Sequence, residues 1–379
     1  MPQRLTTDRY LFGAILALVF FGLLMIYSAS SVTADLKYQS PYYFVVRQFA
    51  WMLGSVAVMM ALKRTHYRRL QTPAVAFTAV GVTLMLLVTV YFADGRLHRW
   101  IRLGSFSLQP SELAKPALVL FLAFFVSMRA RAINDRYTLL PAGITVGLVT
   151  TLVAIPDLGT AIVLVATAAV VFFVAGLNRR HITEALIVAV LGILLAVVLK
   201  PYRLARAVQY IDPDYQIVDM IDPAGHLKAY LQKSLTTKDT RYQAEQSRIA
   251  VGTGGIFGLG LMEGKQKLFY LPEAHNDFIY AVVGEEWGFA GSAGVLAAFL
   301  VILWRGLRAA VRIPDDFGRY LALGVTATIV FQAFLNMSVV LDMVPTKGIP
   351  LPMISSGGSS LLSTLLLSGM LLNVSENAG

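Results

Sequence analysis

The 379-residue chain contains no cysteine, which excludes disulfides, thiol catalysis and cysteine-held metal. Charge is scarce too: Asp, Glu, Lys and Arg make up 14% of residues against 56% hydrophobic, and mean hydropathy is +0.65. Such a chain cannot be a soluble domain; it must be a polytopic membrane protein. The histidines, His66, His98, His181, His226 and His275, lack metal-ligand spacing. No small-residue cleavage site follows a short apolar core near the start, so the first span is expected to stay as an anchor. The glycine cluster Gly252-Thr253-Gly254-Gly255, with Gly258 and Gly260, follows no expected strand. Dinucleotide or nucleoside triphosphate binding therefore loses support, and a flexible re-entrant or surface loop is expected instead. No convincing repeat relates 1–190 to 191–379, which weighs against a transporter built from matched halves.

What the chain has in abundance is apolar runs. Ten are long enough, or nearly so, to cross a hydrocarbon core of about 30 Å: 11–30, 45–62, 73–92, 111–128, 139–155, 158–176, 182–200, 278–304, 319–341 and 353–373. The expected fold is all-α, about ten transmembrane helices forming a single membrane domain over 1–379, with a large extracytoplasmic loop, 201–277, between helices 7 and 8. Only Pro156 and Asp157 separate spans five and six, read as two helices meeting at a tight turn. Lys63, Arg64, Arg68, Arg69, Arg129, Arg131, Arg136, Arg179, Arg180, Arg305, Arg308 and Arg312 all fall in loops on one side. The positive-inside rule makes that side cytoplasmic, places both termini there, and leaves 31–44, 93–110, 201–277 and 342–352 outside. The net charge of +10 thus needs no nucleic-acid partner.

Some basic residues run against that rule. Arg47, Arg96, Arg99, Arg102, Lys115, Arg203, Arg206 and Lys347 are expected on the outer side and call for an acidic ligand or an internal partner. Arginine forks grip phosphate oxygens in pairs and lysine acts as a point charge, so a lipid pyrophosphate suits them; ordinary anionic membrane lipids would attract some equally well. In 267–288, Glu273, His275 and Asp277 precede the apolar run that opens at Phe278. A carboxylate at a bilayer rim loses water, which raises its pKa toward that of a useful base; the alternative is a loop end that snorkels into headgroups. Glu285 and Glu286 lie roughly 12 Å deeper and are expected to pair with a base on a neighbouring helix rather than to catalyse.

Three other segments are specific. Pro110 and Ser111 suit a helix start, and Glu112 suits its positive end. Glu112 and Lys115, three apart, can neutralise each other, as a structural pair or as substrate contacts. Asp157 stands at another helix start, where it can cap or can meet a ligand or metal. Between Val344 and Ser360, proline and glycine prevent regular structure, and irregular backbone at membrane depth must lie against protein or a polar cavity.

These segments together resemble the SEDS family (shape, elongation, division and sporulation), represented by FtsW and RodA. The likeness runs from Tyr27-Ser28-Ala29-Ser30 and Arg47-Gln48 through Arg99-Trp100-Ile101, Gln109-Pro110-Ser111-Glu112 with Lys115, and Pro156-Asp157-Leu158-Gly159-Thr160. It continues through Tyr202-Arg203 with Arg206, Tyr242-Gln243 with Gln246-Ser247, the glycine cluster, Leu271-Pro272-Glu273 with His275, Asp277 and Phe278, and Gly284-Glu285-Glu286. Pro350-Leu351-Pro352, Ser355 and Gly357-Gly358-Ser359-Ser360 complete it. Lys267-Leu268-Phe269-Tyr270 and Pro345-Thr346-Lys347-Gly348 are closer to FtsW spellings. Three departures stand out: Asn276 replaces a usual Thr, Ser356 a usual aromatic, and 220–240 reads as an insertion.

The resemblance implies a peptidoglycan glycosyltransferase that polymerises lipid II, a disaccharide-peptide on undecaprenyl pyrophosphate, for cell division or elongation. It implies Asp277 as the catalytic base, with Arg99, Glu112, Lys115, Asp157, His275, Lys347 and Ser355 on the substrate. It implies no certain cofactor; a divalent cation, Mg or Mn, on the pyrophosphate is the alternative role for Asp277. It implies, as partners, membrane lipids, a class B penicillin-binding protein that cross-links the strand, and other cell-wall synthesis proteins. A lipid II flippase and a non-catalytic scaffold are the other functions this architecture admits.

Overall fold

The computed structural model describes residues 7–93, 99–103, 106–234, 240–268, 270–345 and 347–378. Arg96, His98, Phe269 and Thr346, named above, and 235–239 of the insertion lie outside them. The spans are α1 (Arg9–Tyr38), α2 (Tyr43–Arg64), α3 (Pro73–Ala93), α4 (Pro110–Arg129), α5 (Arg136–Ala154), α6 (Leu158–Val174) and α7 (Arg179–Val198). After α8 to α11 come α12 (Ile279–Arg312), α13 (Asp316–Val340) and α14 (Gly358–Asn377). Among the described residues nine helices are long and apolar enough to cross a membrane; α6, at 17 residues, is the shorter tenth. All ten expected spans are therefore present, and the chain is a multi-pass membrane protein. Asp157 ends the α5–α6 turn as the α6 N-cap: its Oδ1 accepts from Thr160 N at 3.1 Å.

The bundle is built around α4, α13 and α14, whose membrane-length windows are mostly buried, whereas α7 has no buried residue and stands at the edge. Lipid tails are as apolar as leucine, so polar contacts between helices matter. Ser363 Oγ donates to the Glu112 carbonyl at 2.7 Å, and the Thr167 and Thr328 hydroxyls meet at 3.1 Å. At one end, Arg305 pairs with Asp8 at 2.7 Å and Lys63 with Glu376 at 2.8 Å. The two described ends of the chain thus lie together, beside the basic loops after α2 and α12.

At the other end the sequence expectation needs amendment. The stretch 201–277 is not one open loop: it folds into α8 (Pro201–Ile211), α9 (Gln216–Ile221), α10 (His226–Ser234) and α11 (Thr240–Thr253). The insertion-like residues carry the last two residues of α9 and all of α10, and these helices close with α8 on a small core of Ala205, Tyr215, Val218 and Leu231. A short hairpin, β1 (Ile101–Leu103) with β2 (Phe106–Leu108), precedes α4. The last span begins at Gly358, five residues later than expected from hydropathy, because Pro350, Pro352 and Gly357 keep the apolar 349–357 segment irregular.

The glycine cluster is an ordered strap, not a flexible loop. α12 is broken at Gly288 (φ 64°, ψ −158°), and the break frees main-chain groups. Leu259 N and Gly260 N donate to the Glu285 and Glu286 carbonyls, each at 3.0 Å, while Phe289 N and Ala290 N donate to the Gly255 and Ile256 carbonyls at 2.8 and 3.0 Å. Broken helix at membrane depth is tolerated where protein supplies such partners. Only glycine fits at 254 and 258, where a methyl would run into the Gly284 and Glu286 carbonyls. Glu285 Oε1 accepts from Lys265 N at 2.7 Å, and Glu286 pairs with Lys267 at 2.5 Å while accepting from Ser28 Oγ on α1. Both acids are structural, as expected, but they hold the strap that leads to Asp277 rather than a base on a neighbouring helix.

Candidate active site

Asp277 ends the strap, one residue before the Phe278 cap of α12, and is half-buried. Its backbone is fixed from two sides. Asn336 Nδ2 on α13 donates to the Asp277 carbonyl at 2.8 Å and to the Ile349 carbonyl at 2.7 Å. Ser355 Oγ donates to the Asn276 carbonyl at 2.6 Å, and Ser356 N to the His275 carbonyl at 3.0 Å. The irregular 349–356 segment therefore lies against the strap, as backbone at that depth must.

A polar chain runs under this junction. Lys115 Nζ pairs with Glu112 Oε2 at 2.6 Å and donates to Gln332 Oε1 at 2.6 Å; Gln332 Nε2 then donates to the Pro350 carbonyl at 2.8 Å. Glu112 and Lys115 side chains are each only 1% exposed, so both are sealed below the site rather than facing its opening. Ser355 is buried as well, and His275 lies against Phe44 with ring centroids 4.7 Å apart. Burial lowers the His275 pKa, against the raising charge of Glu273. Gln332 and Asn336 escaped the sequence reading. Their signal was two polar side chains one turn apart inside an apolar span, which is rarely idle.

Facing Asp277 are cations and one further acid. Arg99 Nη2 reaches Asp157 Oδ2 at 3.4 Å, where Gln109 Nε2 donates at 3.2 Å and Thr160 Oγ1 at 3.0 Å. Burial pushes the Asp157 carboxyl up, but Arg99, Lys347 and the Thr160 hydrogen bonds outweigh it and hold it below the usual range. Among the described residues Asp277 has no such donors: burial pushes it up to about 6, the charge of Arg99 opposing and those of Glu273 and Asp157 adding. Two carboxylates whose surroundings push them in opposite directions mark this cluster as a candidate functional site.

Lys347 completes the cluster. Its Nζ is buried with no hydrogen-bond partner among the described residues, and its stem packs over Gly159 at the start of α6. Burial pulls the ammonium down to about 7; the charge of Asp157 raises it while Arg203, Arg99 and Arg206 lower it further. An unpaired buried cation is expensive unless an anion arrives to meet it. Arg203, by contrast, is fully engaged: Nη2 donates to the Ala154 and Ile155 carbonyls at 2.9 and 2.8 Å, which ties α8 to the end of α5. Beside it an apolar cavity of about 730 Å³ runs between α5, α6 and α7, with Ile155, Leu158, Lys200 and Arg203 in its wall.

Among the described residues no three His, Asp or Glu gather to hold a metal ion. Glu112 and Asp157, expected near a cation, are taken up by Lys115 and by Arg99 with Gln109. The donors among the described residues do not assemble a divalent-cation site, and no step below is routed through one.

Gly348 sits on the Asp277 carboxylate, which a methyl at 348 would strike. Gly348→Ala is therefore expected to keep the protein folded, by thermal unfolding in detergent, while activity falls at least tenfold; unchanged activity would show that Asp277 has room to move.

The fold and the site define a multi-pass membrane protein with a half-buried carboxylate set among cations, near an apolar groove. The chain belongs to the cell cycle protein family of FtsW, RodA and SpoVE, whose model matches residues 8–379. It is 38% identical to the probable peptidoglycan glycosyltransferase FtsW of Trichlorobacter lovleyi, over 99% of this chain and 94% of that one. It is 36% identical to the stage V sporulation protein E of Bacillus subtilis, over 99% and 98%. Among solved structures, it matches a chain from a peptidoglycan synthase complex that coordinates polymerization and crosslinking, at 28% identity and TM-score 0.73 over 98% of both chains. It also matches the rod shape determining protein RodA of Thermus thermophilus, at 26% identity and TM-score 0.67 over 99% and 98%.

Proposed function

We propose that the chain is a peptidoglycan glycosyltransferase that polymerises lipid II on the extracytoplasmic face of a bacterial cytoplasmic membrane, with both termini cytoplasmic. The observation that carries this reading is the unpaired Lys347 ammonium, which with Arg99 acts on Asp157 and lies next to Gly348 on the Asp277 carboxylate, while Ile155 and Leu158 on either side of the Asp157 turn line an apolar groove. A lipid-linked diphosphate supplies both missing partners: anionic oxygens for the cations and a polyprenyl chain for the groove.

In the reaction, the 4-hydroxyl oxygen of the acceptor sugar bonds to the donor's anomeric carbon as that carbon's bond to the diphosphate breaks. The hydroxyl proton passes to Asp277, and the electron pair leaves with the diphosphate. That leaving group is already a stable anion, so no strong general acid is needed, unlike a glycosidase pair. Arg99 and Lys347 neutralise the charge that develops, in a site poor in water where electrostatics count most. Asp157 holds Arg99 in place. Glu112, Lys115, Gln332, Asn336 and Ser355 act as positioning residues, and His275 packs the strap against α2. A class B penicillin-binding protein is the partner that cross-links the product, and the synthase-complex likeness supports that pairing.

The test is polymerisation of labelled lipid II by purified protein, with and without its cognate transpeptidase, wild type against Asp277→Asn. Polymer from wild type and none from the folded variant supports the reading; equal polymer from both sinks it. Lys347→Met should lower kcat/KM about 10- to 100-fold, the value of one charge-assisted contact of roughly 1.5–3 kcal/mol. Undiminished kcat/KM would remove Lys347 from the diphosphate site.

A further inference from the structure

Outside the residues assigned to the reaction, a connected run of rings leads from the end of α1 to the strap. Tyr38, the last residue of α1, stacks on Tyr43, the first of α2, with centroids 3.8 Å apart and planes 7° from parallel. Both meet Phe44 edge-on, at 5.7 and 5.3 Å, and Phe44 lies against His275, which precedes Asp277 by two residues. Tyr38 is 47% exposed, and Tyr43 and Phe44 are half-buried, so all three rings are in part accessible. Arg47, exposed one turn further along α2, donates from Nη1 to the Tyr43 hydroxyl at 2.6 Å and sits 5.4 Å from that ring's centroid.

Rings at the end of a span commonly belong to the aromatic belt among the headgroups. Here a different pair fills that role. Tyr42 stacks on Tyr27, at 5.7 Å and 4°, and Tyr27 stands eleven residues before Tyr38 on α1, about 16 Å lower along the axis. Tyr27 falls within the apolar run 11–30, whereas Tyr38 follows it by eight residues, past the exposed Asp35 and Lys37. The Tyr38, Tyr43 and Phe44 rings therefore lie on the aqueous side of the belt, level with the strap they touch. Exposed rings scattered singly need no explanation, but three in mutual contact and continuous with a candidate active site mark a binding surface.

The chemistry of this surface suits a sugar. A pyranose has a face of C–H bonds that packs flat on an aromatic ring, and a rim of hydroxyls that needs donors and acceptors. The rings supply the first, and Arg47 with the tyrosine hydroxyls supplies part of the second. On the strap, two residues before His275, the exposed Glu273 carboxylate adds an acceptor; Asn276 Nδ2 holds it at 2.6 Å. An acyl chain would use the rings alone, and a phosphate the cation alone. Arg99 and Lys347, assigned to the diphosphate, belong to the segments before β1 and before α14, so the rings approach Asp277 from elements of their own.

Resting on the glycosyltransferase reading, we infer that the ends of α1 and α2 form a saccharide shelf, which holds sugar units of the glycan strand as it moves away from Asp277. The probe is a lipid-free tetrasaccharide of alternating N-acetylglucosamine and N-acetylmuramic acid, titrated onto the full-length protein in phosphatidylcholine nanodiscs and followed by saturation-transfer NMR. Wild type and Tyr38→Phe/Tyr43→Phe should bind it alike. Tyr38→Leu/Tyr43→Leu, apolar but without flat faces, should bind it about tenfold more weakly, the value of one or two ring contacts. Thermal unfolding in detergent shows whether the leucine variant is folded; if it is not, Tyr38→Leu alone, at a half-exposed position, carries the comparison. No binding by wild type, or equal binding by a folded leucine variant, overturns the proposal. In the polymerisation assay the leucine variant should make markedly shorter strands than wild type, and strands of unchanged length overturn the shelf while leaving the polymerase reading intact. A leucine variant that keeps the saccharide but loses the transpeptidase would assign the rings to a protein partner and overturn it equally. Saccharide bound by wild type with no polymer made would instead sink the polymerase reading and leave the shelf standing.

Discussion

Asp277→Asn is expected to lower lipid II polymerisation by roughly 10²- to 10⁴-fold, the range over which a positioned general base contributes. The amide keeps the shape and the Asn336 hydrogen bond to the backbone, so the loss reports the proton acceptor rather than the fold. The pH profile makes the same point without a mutation. Asp277, pushed up to about 6, must be ionised to accept a proton, so kcat/KM falls as pH drops through about 6. Lys347, pulled down to about 7, must be protonated to meet the diphosphate, so kcat/KM also falls as pH rises through about 7. The two limbs bracket a narrow optimum, and the free protein sets both. Lys347→Arg, which cannot lose its charge in this range, should abolish the alkaline limb and keep the acid one. A flat profile between pH 5 and 8 would contradict both assignments.

How much of this was legible from residues alone depends on the range of each interaction. The spans were readable because apolar length and loop charge are local, and so was the Glu112–Lys115 pair, since i, i+3 geometry is fixed by the helix itself. What could not be read was which of its two roles applied. That depended on Gln332, 217 residues away from Lys115, which draws the ammonium inward. Arg99 and Asp157, 58 residues apart, had each been singled out, but nothing in their spacing told that one would hold the other. The strap was misread because loop signals describe backbone freedom, not the partner that removes it. Gly254 and Gly258 look flexible in sequence and are glycine because α12 is broken opposite them. The late start of α14 has the same origin: hydropathy registers an apolar segment, and proline decides whether it is helix.

The strap's ionic anchor should give the largest loss of stability in the molecule. Lys267 and Glu286 are 3% and 0% exposed, and Lys267 Nζ also donates to Ser28 Oγ at 2.9 Å, so three groups share one buried site. Removing one partner leaves the other charged and dry. Lys267→Met is therefore expected to destabilise the protein by about 3–5 kcal/mol, measured by chemical unfolding in detergent. Glu286→Gln should lose a similar amount by stranding the ammonium. The double variant Lys267→Met/Glu286→Gln should recover much of the loss, because replacing a buried pair is far milder than halving it, and a double-mutant cycle would return that coupling directly. Additive losses would mean that water or lipid headgroups already reach the pair. The same variants connect stability to chemistry: Lys267 lies ten residues before Asp277 on the strap, so a single variant that still folds should lose kcat before it loses affinity for lipid II. The double variant should regain both, since what the pair supplies to catalysis is the placement of one carboxylate.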